Sequence, residues 1–110
     1  MVTQTKQDAA WILSDAVGDK RFFCQDGRII NNLSELANGL AHMTQEVFRY
    51  HVTSGKNDFA IWVRDVLNDK ILASELYNTS NPLEASKIVA NKIAWLQRNR
   101  NESRRVKIKK

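Results

Sequence analysis

The stretch YHVTSGKNDFAIWVRDVLNDKILASEL, residues 50–76, decides the fold. Its aromatics, amides and carboxylates are dense enough to suggest enzymatic chemistry, yet each residue has an architectural use. Asn57 is suited to cap a helix that begins at Asp58, and the Asp58 carboxylate then lies in the first turn, where the helix dipole favours negative charge. Phe59, Trp62, Val63, Val66 and Leu67 recur at the spacing of one helical stripe and leave Arg64, Asp65 and Asn68 outward. Asn68 or Asp69 closes this helix and opens a second, which returns Ile71, Leu72 and Leu76 to the core.

The same template recurs on both sides of this stretch. Ala9, Ile12, Leu13, Ala16 and Val17 form one stripe, and Leu33, Leu36, Ala37, Leu40 and Ala41 form another. A further helix starts at Pro82 and carries Ala85, Ile88, Val89, Ile93 and Leu96, with Lys92 interrupting the apolar run. Shorter helices are expected at 44–52 and 69–76. Capping chemistry marks several starts. Asn32 with Glu35, and Asn81 with Pro82 and Glu84, pair a cap residue with a carboxylate in the first turn, and Thr5 with Asp8 is a weaker version. The segment RFFCQDGRII, residues 21–30, differs, because Asp26-Gly27 readily takes the positive φ of a tight turn between two short apolar runs. The expected fold is mainly α: a compact bundle of four to six helices with a small β-hairpin near residues 22–30. Residues 1–97 form a single helical domain and 98–110 a basic C-terminal tail.

Length and composition agree with this reading. The 110 residues suffice for one core, and 43% apolar with 26% charged residues is ordinary for a globular chain. Cys24 is the single cysteine, so no internal disulfide forms and a cytoplasmic location is expected. Neither a secretory leader nor a membrane span is indicated, the apolar runs falling far short of the roughly 20 residues a spanning helix needs. The charge is unevenly divided. Arg98, Arg100, Arg104, Arg105, Lys107, Lys109 and Lys110 against Glu102 give the tail +6, and since the whole chain is +5, residues 1–97 carry −1.

Catalytic and metal readings find little support. Asp65 and Asp69 lie one turn apart, but the ligand-rich loop of a calcium site is missing and the neighbours Arg64 and Lys70 point to a solvated face. His42, His51 and Cys24 lack the paired spacing of structural zinc ligands. Cys24 beside Phe22 and Phe23 fits a small core residue better than a nucleophile. Phosphate-binding glycine loops and the zinc-protease helix motif do not occur. The expectation is a protein that is not an enzyme and binds no cofactor or metal.

Tyr50 or Phe48 with His51 and Val52, then Asn57-Asp58-Phe59, Trp62, Val66, Leu67, Asp69, Leu72 and Ala73 form a pattern of aromatic-x-H-V, N-D-F-x-x-W and V-L-x-D-x-x-L-A. In this the chain resembles a family of small prokaryotic domains of unknown function, over residues 23–76. The resemblance implies a fold type and no particular activity. The first helix and the basic tail fall outside it.

The tail, QRNRNESRRVKIKK, carries the functional expectation. Its arginines and lysines suit a nucleic acid backbone or another polyanion, without sequence specificity. Two other readings stand beside this one. The tail is a solubilising helix end, or else the alternation of Val106 and Ile108 with Arg105, Lys107 and Lys109 suits strand addition to a partner. The competing function is a protein-protein interaction adaptor that uses the outward sides of helices 58–67 and 82–97.

Overall fold

The computed structural model describes residues 6–109, with side chains over 9–99. The described residues form six α-helices and two antiparallel two-stranded hairpins: α1 (Lys6–Ile12), β1 (Phe22–Phe23), β2 (Ile29–Ile30), α2 (Leu33–His42), α3 (Gln45–His51), β3 (Val52–Thr53), β4 (Lys56–Asn57), α4 (Asp58–Asp65), α5 (Lys70–Leu76) and α6 (Pro82–Lys109). A turn of 3₁₀ helix, Gly18–Lys20, precedes β1. The architecture is the expected mainly helical bundle. No helix among the described residues is long and apolar enough to cross a membrane.

Helix α6 is the spine, and α2, α1 and α5 pack along it, while α4 packs on α5. The core fills from the helical stripes, with Leu36, Leu40, Val63, Leu72, Val89 and Leu96 each fully enclosed. Ser86 donates from Oγ to the Ala37 carbonyl at 2.8 Å and fastens α6 to α2. Gly39 lets β2 approach α2 closely, since a β-carbon there would stand 3.3 Å from Ile30 Cδ1.

The caps form as their sequences suggest. Asn32 Oδ1 accepts from the Glu35 amide at 2.8 Å, and the Glu35 carboxylate accepts from the Asn31 amide at 2.7 Å. Asn81 and Glu84 repeat this arrangement, with the Glu84 carboxylate reaching back to the Ser80 amide at 3.2 Å. In both boxes the carboxylate reaches one residue further than the cap itself. Thr44, Asn57 and Asp69 cap α3, α4 and α5 through side-chain acceptors. The pairing suggested for Thr5 and Asp8 lies outside the described residues. The first hairpin pairs Phe22 with Ile30 and Phe23 with Ile29, and Gly27 in its turn has a φ of 96°.

Four local expectations are corrected. Helix α1 stops at Ile12, although its stripe continues to Val17. Ser14 donates from its amide and from Oγ to the Trp11 carbonyl, which closes the helix, and the Ala16 amide, outside any helix, then donates to the Asn31 carbonyl. Ala16 stays buried, whereas Val17 is exposed. Ile71, assigned to the core, is exposed. Asp69, assigned to a solvated face, is fully buried. The helix expected over 44–52 ends at His51, because Val52 begins a second hairpin, Val52–Thr53 with Lys56–Asn57, whose strands are too short to show alternation in the sequence.

Candidate functional site

The N-D-F stretch and the preceding histidine meet in one polar junction. His51, the last residue of α3, is only 4% exposed. Its Nε2 lies 3.0 Å from the Gln25 backbone amide, and its Nδ1 lies 3.0 Å from Asp58 Oδ2. A backbone N–H can only donate, so Nε2 is the acceptor, and the proton of the neutral ring sits on Nδ1, which donates to Asp58. Lys56 donates from Nζ to the same carboxylate oxygen at 2.9 Å. Phe22 and Phe59 flank the imidazole, each ring 5.2 Å away between centroids. One side chain thus joins the turn of the first hairpin, the end of α3 and the start of α4.

The electrostatics follow from these contacts. Partial burial would by itself raise the Asp58 carboxyl, but the hydrogen bonds and positive charge of Lys56, with the His51 bond, outweigh it and hold the group below its ordinary value. Burial pushes the Cys24 thiol up, and the negative charge of the nearby Asp26 carboxylate adds to the rise. A thiol held in its protonated form is a poor nucleophile. Both imidazole nitrogens of His51 are engaged, so the ring has no lone pair to offer a substrate or metal without first releasing Gln25. His42 lies apart on the surface of α2, with Nδ1 2.8 Å from the Asn38 carbonyl. Among the described residues no group of three or more His, Cys, Asp and Glu gathers as a metal site.

The remaining conspicuous residues of the opening stretch are also joined to the body. Asn57 Oδ1 accepts from the Ala60 amide, and its Nδ2 donates to the Leu76 carbonyl at 2.9 Å, so one side chain caps α4 and ties it to the end of α5. Trp62 donates from Nε1 to the Lys20 carbonyl at 2.8 Å, and its ring meets Phe22 edge-on. Asn68, in the link between α4 and α5, takes a left-handed φ of 65°, and Asp69 then caps α5. Asp69 Oδ2 also stands 3.5 Å from Lys92 Nζ, both side chains being enclosed. This contact accounts for the lysine that interrupts the apolar stripe of α6. Asp65, by contrast, is on the surface with Arg64.

The basic residues assigned to polyanion binding follow the last enclosed turn of α6. Arg98 is exposed, and the side chains of Arg100, Arg104, Arg105, Lys107, Lys109 and Lys110 lie outside the described residues. A groove of about 350 Å³ opens where the chain leaving α1 passes the end of α4, with Trp11, Val17, Lys20, Val66 and Asn68 among its walls. No sequence pattern signals it, because Trp11 lies off the α1 stripe and the groove depends on where that helix ends. No known protein family, curated protein or solved structure matches the chain.

Proposed function

We propose that the chain is a non-catalytic binding module whose basic C-terminal segment contacts nucleic acid through the phosphate backbone, without reading sequence. The observation that carries this reading is the division of charge, +6 on residues 98–110 against −1 on the rest. Residues 98–109 are the last turns of α6, whose Val89 and Leu96 are anchored in the core, so the body holds one end of a cationic helical arm. The engagement of His51 and the protonated, buried state of Cys24 favour a binding role over catalysis. The reading takes a reducing, cytoplasmic interior as its setting, in keeping with a free buried thiol. The resemblance to small prokaryotic domains is retained as part of this proposal, with the shared pattern serving the fold.

Fluorescence anisotropy on a labelled duplex, across a salt series, tests it. An arm that meets about four to six phosphates gives a slope of log affinity against log salt of about −4 to −5, and affinity that varies little among duplex sequences. Truncation after Gln97 removes binding while the body still folds. Absence of wild-type binding at low salt, or equal binding after truncation, would remove this reading. The adaptor reading would then lead. It is favoured by the apolar pair Phe23 and Ile29, which face each other across the first hairpin and are both about half exposed.

A further inference from the structure

We propose that the groove between the end of α1 and the α4–α5 turn receives one unpaired nucleotide of a single-stranded nucleic acid, with its base stacked on Trp11. The proposal rests on the nucleic-acid reading above and deepens it, because it assigns the body a part in contacts otherwise left to the arm.

The three tryptophans set Trp11 apart. Trp62 is buried, donates its N–H to Lys20 and packs on Phe22. Trp95 is covered by the Lys92 ammonium, 4.9 Å from its ring centroid. Trp11 is 56% exposed, although the next residue, Ile12, is 1% exposed, and its ring has no aromatic or cationic partner among the described residues. An indole left in water on the wall of a cavity offers a flat apolar surface for a planar ligand. Ala16, Val17, Val66 and Leu67 continue the apolar wall, and the volume of about 350 Å³ suits one small planar group with its attached sugar.

The polar groups select the kind of ligand. Asp15 accepts from Asn32 at 2.7 Å, and both oxygens of Asp65 accept from Arg64, so the two carboxylates on the rim are already engaged. Lys20 and Asn68 also line the groove, and neither side chain has a partner among the described residues. An ammonium suits a phosphate, and an amide presents a donor and an acceptor suited to a base edge. With Lys20 and Arg64 offsetting Asp15 and Asp65, the groove has no net charge to attract a cationic peptide. Helix α1, which carries Trp11, packs on α6, which leads into the basic segment, so groove and arm belong to adjoining elements.

Single-strand preference separates the groove from the arm. Backbone contacts alone favour a duplex, whose phosphates are more closely spaced along the axis. Affinities of the full chain for a labelled single-stranded oligonucleotide and for its duplex are measured at one salt concentration, for the wild type, Trp11→Ala, Trp11→Phe and Lys20→Ala. The expected result is tighter single-strand binding by the wild type and a loss of about tenfold or more in Trp11→Ala, the size of one stacked base, with duplex binding unchanged. Trp11→Phe retains most of the preference and Lys20→Ala loses part of it. Unchanged thermal melting of Trp11→Ala keeps a folding defect out of the comparison. Equal single-strand affinity in the wild type and Trp11→Ala overturns the groove, and if duplex binding persists there the arm reading survives it. Nuclear magnetic resonance titration with adenosine monophosphate gives a second readout at the Trp11 indole N–H. A shift there in a chain that shows no single-strand preference overturns the strand as occupant in favour of a free nucleotide.

Discussion

Lys92 and Asp69 offer the sharpest test of how the bundle is held in register. The Asp69 carboxylate is fully enclosed, and the Lys92 ammonium, 3.5 Å from it, belongs to a side chain that is 10% exposed. At this separation, and with the effective dielectric of about 20 that suits protein sites, two unit charges attract by about 5 kcal/mol. Removing one partner of a buried pair costs about 3–5 kcal/mol, because the enclosed charge that remains is then less well compensated. Lys92→Met keeps the length of the stem and removes the charge, so its cost should fall in that range.

The reverse substitution should be milder. Asp69→Asn retains an acceptor for the Leu72 amide, which the Asp69 Oδ1 now caps at 3.0 Å, and asparagine is a good cap residue. The Lys92 ammonium also lies over the Trp95 ring and can move towards water on its flexible stem, which leaves a loss of about 1–2 kcal/mol. If the two groups act as a pair, the double variant is more stable than the sum of the single losses implies, by about 2 kcal/mol. Urea unfolding measures all four proteins. A slope of about 1–3 kcal/mol/M places the Lys92→Met midpoint at least about 1 M below wild type, with the slope itself unchanged. A loss under about 1 kcal/mol for Lys92→Met, or strict additivity in the cycle, would refute the pairing as a source of stability.

Three further outcomes follow from the same contacts. Trp62→Ala should cost about 3–5 kcal/mol by leaving a core cavity and freeing the Lys20 carbonyl, and a variant with wild-type melting would contradict the burial of that ring. Asp58 is held below the ordinary carboxyl value of 3.8, so the stability it contributes is complete above that value and is lost as pH falls through the lower native one. The gap in stability between wild type and Asp58→Asn should therefore shrink as pH falls below about 4; a gap that widened there would reverse the sign. Cys24, enclosed and protonated, should react with iodoacetamide only as fast as the fold opens, and labelling at the rate of a free thiol would show the first hairpin to be detached.

Helical periodicity made most of this fold legible. The stripes through Leu33 and Phe59, the Asn32 and Asn81 caps and the Asp26-Gly27 turn are local signals, each contained within about two helical turns, and the chain obeys them. What remained hidden was the pairing of polar residues across the fold. Lys92 stood out as a break in a stripe, but only the packing of α5 on α6 supplies its partner. The His51 ring depends on the Gln25 amide, 26 residues away, and no periodic signal reports such a contact. The end of α1 was misjudged for a related reason: Ala16 is buried as the stripe requires, yet Ser14 and the bond from Ala16 to Asn31 place it there without a helix. An apolar pattern reports which residues are enclosed more faithfully than the backbone that encloses them.

That internal pairing bears on how the chain would meet a polyanion. A body with a charge of −1 and several exposed carboxylates would repel phosphate if those charges formed one face. Three of these carboxylates instead have close cationic partners, Asp26 with Arg28, Asp58 with Lys56 and Asp65 with Arg64, and the enclosed Asp69 is paired with Lys92. The field of a close ion pair is dipolar and falls off faster with distance than that of a single charge, while salt screens unpaired surface charge within about 8 Å under physiological conditions. Beyond that distance the body contributes little, and the field an approaching strand meets is that of the +6 segment. Encounter would then be governed by the arm and be strongly salt-dependent, whereas Trp11, an uncharged surface, would act only after contact, by slowing departure. In the proposed division of labour, neutralising the arm lowers the association rate and Trp11→Ala raises the dissociation rate for single strands, two effects that stopped-flow kinetics at fixed ionic strength would separate.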